Sequence, residues 1–227
     1  MKYLTEVLYK KQQLFHLPLE EGMQITDLEE MFDMDASEFL LEELMAGDEW
    51  YYKYLPEPLR DRLFDKNGEV SFQELDDSIL AQIAEFRREI DEKWQEASLK
   101  VQQDKDLVRE TASEELKKLL AMDLVDSEIR LITGIDSDQV DVELYPQWDM
   151  GKKLTIRFED VKDSWMGLFH PDDANWWLVD EVAPDSENRE GRYELHALYG
   201  NAEHIAQLQL SFSDVTILET EESILDL

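Results

Sequence analysis

The segment LFDKNGEVSFQE, residues 63–74, carries oxygen-bearing side chains at a spacing that suits a calcium-binding loop. In an EF-hand loop of 12 residues, ligands occupy positions 1, 3, 5, 9 and 12, and position 6 is glycine. Position 1, normally an aspartate, is Leu63 here. The residues at positions 3, 5, 9 and 12 are Asp65, Asn67, Ser71 and Glu74. The sequence therefore keeps calcium binding open as one interpretation of this segment.

A corner between two helices explains the same residues without a metal. Asn67–Gly68 is a dipeptide typical of turns. Ser71 would then cap the helix that follows, and Glu74 would complete a capping box. This interpretation needs no ligand, so we favour it while keeping calcium as the alternative.

A second group of polar residues lies in the second half of the chain. Glu194 and His196 are two residues apart in a predicted strand, so their side chains share one face. With Asp180 on a neighbouring strand, and with Trp176 nearby, they form a candidate polar site for proton exchange or zinc binding. The turn carboxylates that would add to a cation site are Asp172 and Asp173. The simpler interpretation is the solvated face of a half-buried sheet.

The sequence lacks the patterns of several enzyme classes. It contains no cysteine, which excludes disulfides and thiol catalysis. It also contains no GxSxG, GxGxxG, HExxH or glycine-rich phosphate loop. We therefore favour a protein that is not an enzyme. An enzyme would have Glu194 and His196 as its acid–base pair.

The net charge of −33 on 227 residues restricts the partners of this chain. Nucleic acids and anionic membrane surfaces attract basic proteins, so we expect neither as a ligand. A basic protein partner or a divalent cation fits the charge better. Because 43% of the residues are hydrophobic and 10% are aromatic, we expect a folded protein with an acidic surface.

The first half of the chain has the hydrophobic spacing of helices. Over residues 72–101, apolar side chains recur every three or four positions and predict one helix of roughly 30 residues, about 45 Å long. Capping residues predict the limits of shorter helices. These residues are Thr26 with Glu29, Asp35 or Ser37 before a helix ending at Gly47, and Ser113.

After Asp126 the hydrophobic period changes from about 3.6 to about 2, which indicates strands. Strands joined by short turns pair antiparallel. We therefore expect an α+β fold, in which the helical region 1–124 packs on an antiparallel β region, 125–227, in one compact unit. The alternating segments are 154–158, 177–181, 193–199 and 208–212, and 208–217 forms a closing strand.

Five segments resemble a bacterial family of small proteins catalogued as a domain of unknown function. They are MKYLTEVLY (1–9), YKYLP (52–56), WWLVDEV (176–182), GRYELHALY (191–199) and LQLSFSDVTI (208–217). The resemblance is best over 176–217. It implies a helical first half and a β-rich second half, and it brings no catalytic residues with it.

The expected function is binding to a basic protein partner, with neutralisation of a toxin or inhibition of an enzyme as concrete forms. The alternative is a divalent-metal protein, with calcium or zinc bound by the 65–74 loop or by the Glu194 and His196 strand face. No apolar stretch suits a signal peptide or a membrane span, so we expect a soluble cytoplasmic protein.

Overall fold

The computed structural model describes residues 2–15, 24–149, 151–167, 175–187, 189–201 and 204–221. In this part of the chain, helices come first and strands follow, so the predicted α+β fold is confirmed. The helices are α1 (Glu6–Gln12), α2 (Ile25–Phe32), α3 (Ala36–Ala46), α4 (Asp48–Tyr54), α5 (Glu57–Leu63), α6 (Asp77–Thr111) and α7 (Glu114–Ala121). The strands are β1 (Glu128–Thr133), β2 (Gln139–Tyr145), β3 (Lys152–Glu159), β4 (Asp163–Met166), β5 (Asn175–Pro184), β6 (Tyr193–Gly200), β7 (Ile205–Phe212) and β8 (Asp214–Glu221).

The chain divides into two compact units. The helical unit is Val7–Glu96, and the sheet unit combines Met1–Glu6 with Ala97–Leu227. The division lies within α6, whereas the change from helices to strands lies between α7 and β1, as the sequence predicts. The expectation that residues 1–124 and 125–227 form one compact body stays a prediction.

The helical unit has its own hydrophobic core. The apolar stripe of α6 is buried there from Ile79 to Ile90, together with buried leucines of α3 and α5. The helix α6 starts at Asp77, five residues later than predicted. The Asp76 carboxylate caps it there, because it accepts a hydrogen bond from the backbone N–H of Ile79 at 2.7 Å. The helix also continues past residue 101 to Thr111.

Two other predicted helix caps are confirmed. The Asp35 carboxylate accepts hydrogen bonds from the backbone N–H groups at the start of α3, at 2.8 Å from Ser37, and the helix ends before Gly47. The Ser113 hydroxyl accepts the N–H of Leu116 at 3.1 Å and starts α7. Each side chain satisfies a backbone donor that the first helical turn leaves without a partner.

The predicted capping box of Thr26 and Glu29 is wrong in position. The helix α2 already begins at Ile25. The carboxylate at its start belongs to Asp27, which accepts the backbone N–H of Gln24 at 2.8 Å. A carboxylate two residues earlier than predicted therefore performs the capping.

The sheet unit contains an eight-stranded antiparallel sheet with the order β4-β7-β6-β5-β1-β2-β3-β8. The predicted closing strand 208–217 is two strands, β7 and β8, which meet at Ser213. Phe158 on β3 and Phe212 on β7 have ring centroids only 5.1 Å apart. Because these strands stand far apart in the sheet order, the sheet must curl to bring the two rings together.

The concave interior of this sheet is the main core of the sheet unit. Trp177 is almost fully buried in it. The residues of the same cluster that precede the sheet lie between the end of α6 and the segment after α7: Val108, Ala112, Leu116, Leu119, Leu120 and Leu124. This short helical segment therefore covers the apolar face that the sequence requires to be buried.

Candidate functional site

The candidate calcium loop folds as a tight turn built around Asp65. One carboxylate oxygen of Asp65 accepts the backbone N–H of Asn67 at 2.7 Å and that of Glu69 at 3.0 Å. The other oxygen lies 3.4 Å from the amide nitrogen of Asn67, which donates to it. Gly68 has φ +85°, a left-handed conformation that favours glycine. The predicted turn at Asn67–Gly68 is therefore confirmed, and Asp65 is engaged by donors of its own loop.

The two remaining candidate ligands lie outside this turn. Ser71 and Glu74 are exposed in the segment between α5 and α6. The backbone N–H of Ser71 donates to the carbonyl oxygen of Leu63 at 2.9 Å. Because Asp76 caps α6, the prediction that Ser71 and Glu74 form its capping box is wrong.

The described part of the chain contains no cluster of candidate metal ligands. None of the described His, Asp and Glu side chains come together in a group of three or more that could hold a metal ion. Asp172 and Asp173, which we considered as turn ligands, lie outside the described residues. Calcium or zinc binding stays a prediction.

The second candidate site is on the outer face of the sheet. Glu194 and His196 share this face on β6, as their spacing predicts. The residue directly opposite His196 on β5 is Glu181. Trp176, opposite Gly200, lies on the same face and is half-buried. Three of the four predicted residues are thus on one face.

Asp180 does not join this group. A bulge between Trp177 and Val179 shifts the register of β5, so that Asp180 pairs with Ala197 of the main core. Its carboxylate accepts hydrogen bonds from Lys105 at 2.9 Å and from the indole nitrogen of Trp177 at 3.2 Å. The bulge therefore gives Asp180 a structural role on the inner face.

Glu181 is the acid that sequence reasoning missed. Its residue is only 3% exposed. Its carboxylate accepts the backbone N–H groups of Lys2 at 2.7 Å, of Tyr3 at 2.9 Å and of Leu4. Charged residues are seldom fully buried without partners, and nothing in the sequence pattern shows that the backbone of residues 2–4 supplies them.

His196 lies between two carboxylates on this face. Burial lowers the pKa of His196 below its usual 6.5, while the charges of Glu181 and Glu194 act in the opposite direction. Its Nε2 atom is 3.6 Å from Glu194 Oε2, and its buried Nδ1 has no hydrogen-bond partner among the described residues. Glu194 also accepts the hydroxyl of Ser186 at 2.6 Å. Both carboxylates are therefore already bound by protein donors, which suits anchoring of the chain better than catalysis.

A third surface is formed by α2 and α3, residues 25–46, which we call the acidic helix pair. Residues 24–52 contain ten Asp and Glu residues and no Lys, Arg or His. Glu30, Glu38 and Glu42 are exposed and form no ion pair with any described residue. These carboxylates are therefore free to attract a positively charged molecule.

Exposed methionines lie among these carboxylates. Met31 is 54% exposed and Met45 is 66% exposed. On α3, Met45 lies one turn from Glu42 and two turns from Glu38, so all three belong to one stripe of the helix. Methionine is flexible and adapts to apolar partners of different shape. The acidic helix pair thus combines negative charge with apolar contact area.

The chain matches no family model, no curated protein and no solved structure. The resemblance to a bacterial domain family accordingly stays a prediction. Among the residues that the structure describes, no helix is both long and apolar enough to cross a membrane.

Proposed function

We propose that this chain is a non-enzymatic binding protein of the cytoplasm, and that its acidic helix pair binds a basic protein partner. The observation that carries the proposal is that the acidic helix pair contains eight carboxylates and no Lys, Arg or His, while its Met31 and Met45 are exposed. Neutralisation of a basic toxin or inhibition of a basic enzyme is a concrete form of this function.

Two physical effects favour such a partner. Opposite charges raise the association rate and select partners, although they contribute less to affinity. Apolar contacts to exposed methionines would supply affinity that salt does not screen. A basic amphipathic helix offers both kinds of contact, because its cations and its apolar face alternate at the spacing of helical turns.

The test uses a synthetic amphipathic helix of Lys and Leu, with a Glu and Leu helix of the same pattern as its control. We expect binding of the Lys peptide that weakens as salt rises from about 0.1 M to about 1 M, because the screening length falls from about 10 Å to about 3 Å. The Glu peptide should not bind. Fluorescence anisotropy of the labelled peptides measures both.

Matched variants locate the binding surface. The triple variant Glu30→Gln, Glu38→Gln and Glu42→Gln should weaken binding about tenfold, since each exposed ion pair contributes up to about 1 kcal/mol. The control variant removes three exposed carboxylates elsewhere in the helical unit, by the changes Glu57→Gln, Asp61→Asn and Glu69→Gln. Equal weakening by both triple variants would show diffuse attraction and would contradict a site on the acidic helix pair.

A further inference from the structure

The helical unit contains a groove of about 750 Å³. It lies between α1, the chain around residues 53–59, and one side of α6 from Ser78 to Lys93. Leu59, Phe86 and Ile90 form part of its apolar floor and are themselves buried. Pockets for small molecules have volumes of about 300–1,000 Å³ and mostly apolar linings. The groove therefore has the size and lining of a site for a small apolar molecule.

The charges that line this groove differ from those of the rest of the unit. Residues 7–96 contain 24 acids and only 9 Lys and Arg residues. Three of these bases line the groove, namely Lys11, Lys53 and Lys93. Neither Lys11 nor Lys53 forms an ion pair with a described residue. Two cations that pair with no acid of the described residues thus lie beside apolar surface in a very acidic chain.

The two acids of the lining are already paired. Glu85 lies 2.6 Å from the guanidinium of Arg88, and Glu89 lies 3.7 Å from the ammonium of Lys93. Their charges are therefore largely compensated within α6. The charges of Lys11 and Lys53 remain available to a ligand.

We propose that this groove binds an anionic amphiphile, a single alkyl chain with a carboxylate head. The chain would lie on the apolar floor, and the carboxylate would meet Lys11 and Lys53. The lining part of α6 spans 15 residue steps, about 22 Å, which provides an elongated floor for an alkyl chain. This site is separate from the acidic helix pair and has the opposite charge preference, so it does not depend on the proposed protein partner.

The test compares three probes with the same alkyl chain, namely dodecanoate, dodecanol and dodecyltrimethylammonium. Isothermal calorimetry should show one dodecanoate bound per chain. Dodecanol should bind about tenfold more weakly, because it lacks the charge contacts of the half-buried Lys11 and the exposed Lys53. The cationic probe should be the weakest at this site. Within a series of carboxylates, each added methylene group should raise affinity by up to about fourfold until the groove is filled.

Two lysine substitutions, one inside and one outside the groove, test the contribution of the carboxylate head group. Lys53→Met should weaken dodecanoate binding up to about fivefold and leave dodecanol binding unchanged. Lys66→Met is the control, because Lys66 is also exposed and pairs with no acid in the described part of the chain, but it does not line the groove. Equal effects of the two substitutions, or equal affinity for dodecanoate and dodecanol, would overturn the carboxylate preference.

A steric pair tests the location of the alkyl chain. Ala81 is exposed and lines the groove, so Ala81→Trp should abolish binding by filling the space. Gln95→Trp, on the same helix but outside the lining, should bind dodecanoate normally. Unchanged binding to the Ala81→Trp protein would overturn the proposal. A change in molecular mass by light scattering on Ala81→Trp, without any amphiphile binding to the original chain, would assign the groove to a second copy and would also overturn it.

Discussion

Glu181 lies directly opposite His196 across β5 and β6, and its carboxylate binds the backbone N–H groups of residues 2–4. A buried carboxylate, an imidazole and a segment distant in sequence thus share one face of the sheet. The arrangement joins the beginning of the described chain to a strand about 180 residues later. The attachment of residues 2–4 to the sheet therefore depends on the side chain of Glu181.

Glu181→Gln should lower the free energy of unfolding by about 2 kcal/mol. A glutamine has one acceptor oxygen instead of two, and its NH₂ group would face backbone donors that then lose their partner. Urea denaturation measures the effect, with the exposed Glu190→Gln as a control that should change stability by less than about 0.5 kcal/mol. Equal effects would show that the three hydrogen bonds contribute little.

His196 should make stability depend on pH. Because the folded protein lowers the pKa of His196, the native state binds fewer protons than the unfolded state below about pH 6.5. The contribution is complete above the unfolded pKa and is lost as pH falls from 6.5 through the folded pKa. The free energy of unfolding of the original protein minus that of His196→Gln should therefore fall on acidification from about pH 8 to about pH 5.

The comparison with His196→Gln is needed because the acidic surface also titrates. Both proteins carry the same carboxylates, so their difference isolates the imidazole. Urea denaturation at each pH supplies the two free energies. A difference that is constant over this range, or that grows on acidification, would contradict a lowered pKa of His196 in the folded protein.

Asp185 should stabilise the turn between β5 and β6. Both of its oxygens accept hydrogen bonds from the guanidinium of Arg189, at 2.8 and 2.9 Å, and these bonds lower the pKa of Asp185 to about 2. Asp185→Asn should lower the free energy of unfolding by about 2 kcal/mol at neutral pH, because it removes the charge of a hydrogen-bonded ion pair. The contribution is present above pH 3.8 and is lost as pH falls to about 2.

The control for that substitution is Asp163→Asn. Asp163 lies 3.7 Å from the same guanidinium, but its side chain is mostly exposed. Its removal should change the urea midpoint much less. If the two variants are equally stable at neutral pH, the hydrogen bonds between Asp185 and Arg189 do not stabilise the turn.

Asp65→Ala should lower stability by about 1 kcal/mol, because the backbone donors of Asn67 and Glu69 lose their acceptor. The loss should be the same in calcium and in chelator, while Glu74→Ala should have little effect in either. Thermal melts of both variants under both conditions measure this. A calcium-dependent stabilisation that disappears in both variants would instead support the loop as a metal site.

Salt should stabilise the folded protein. With 55 acids and 22 bases, most carboxylates have no cation to pair with, and folding brings like charges closer together. Raising NaCl from about 0.1 M to about 1 M shortens the screening length from about 10 Å to about 3 Å and should raise the urea midpoint at constant pH. A midpoint that falls would mean that the ion pairs outweigh the repulsion.

Local patterns predicted the class of fold well. The hydrophobic stripe of α6, the caps at Asp35 and Ser113, and the alternating strands depend on neighbouring residues, which the sequence displays directly. The start of α6 was misplaced because Phe72 and Leu75 are buried without being helical. Their spacing continues the stripe, but the cap at Asp76 decides where the helix begins.

The candidate sites were predicted less completely, because they depend on contacts between distant residues. Spacing placed Glu194 and His196 on one face, but the bulge after Trp177 decides which acid of β5 joins them. The sequence does not reveal this bulge, so strand alternation alone cannot show whether Asp180 or Glu181 shares the face of His196. The groove combines residues of α1, α4, α5 and α6, so no single segment displays it.

The run of acidic residues that includes the acidic helix pair also decides which reagents can reveal a partner. No Lys or Arg occurs between Lys11 and Lys53. Amine-reactive cross-linkers therefore cannot attach within this stretch, and trypsin releases it as one long fragment, residues 12–53. A lysine-directed map would leave this surface blank even when a partner covers it. Carboxyl-directed coupling and a protease that cleaves after glutamate are the reagents that can report its occupancy.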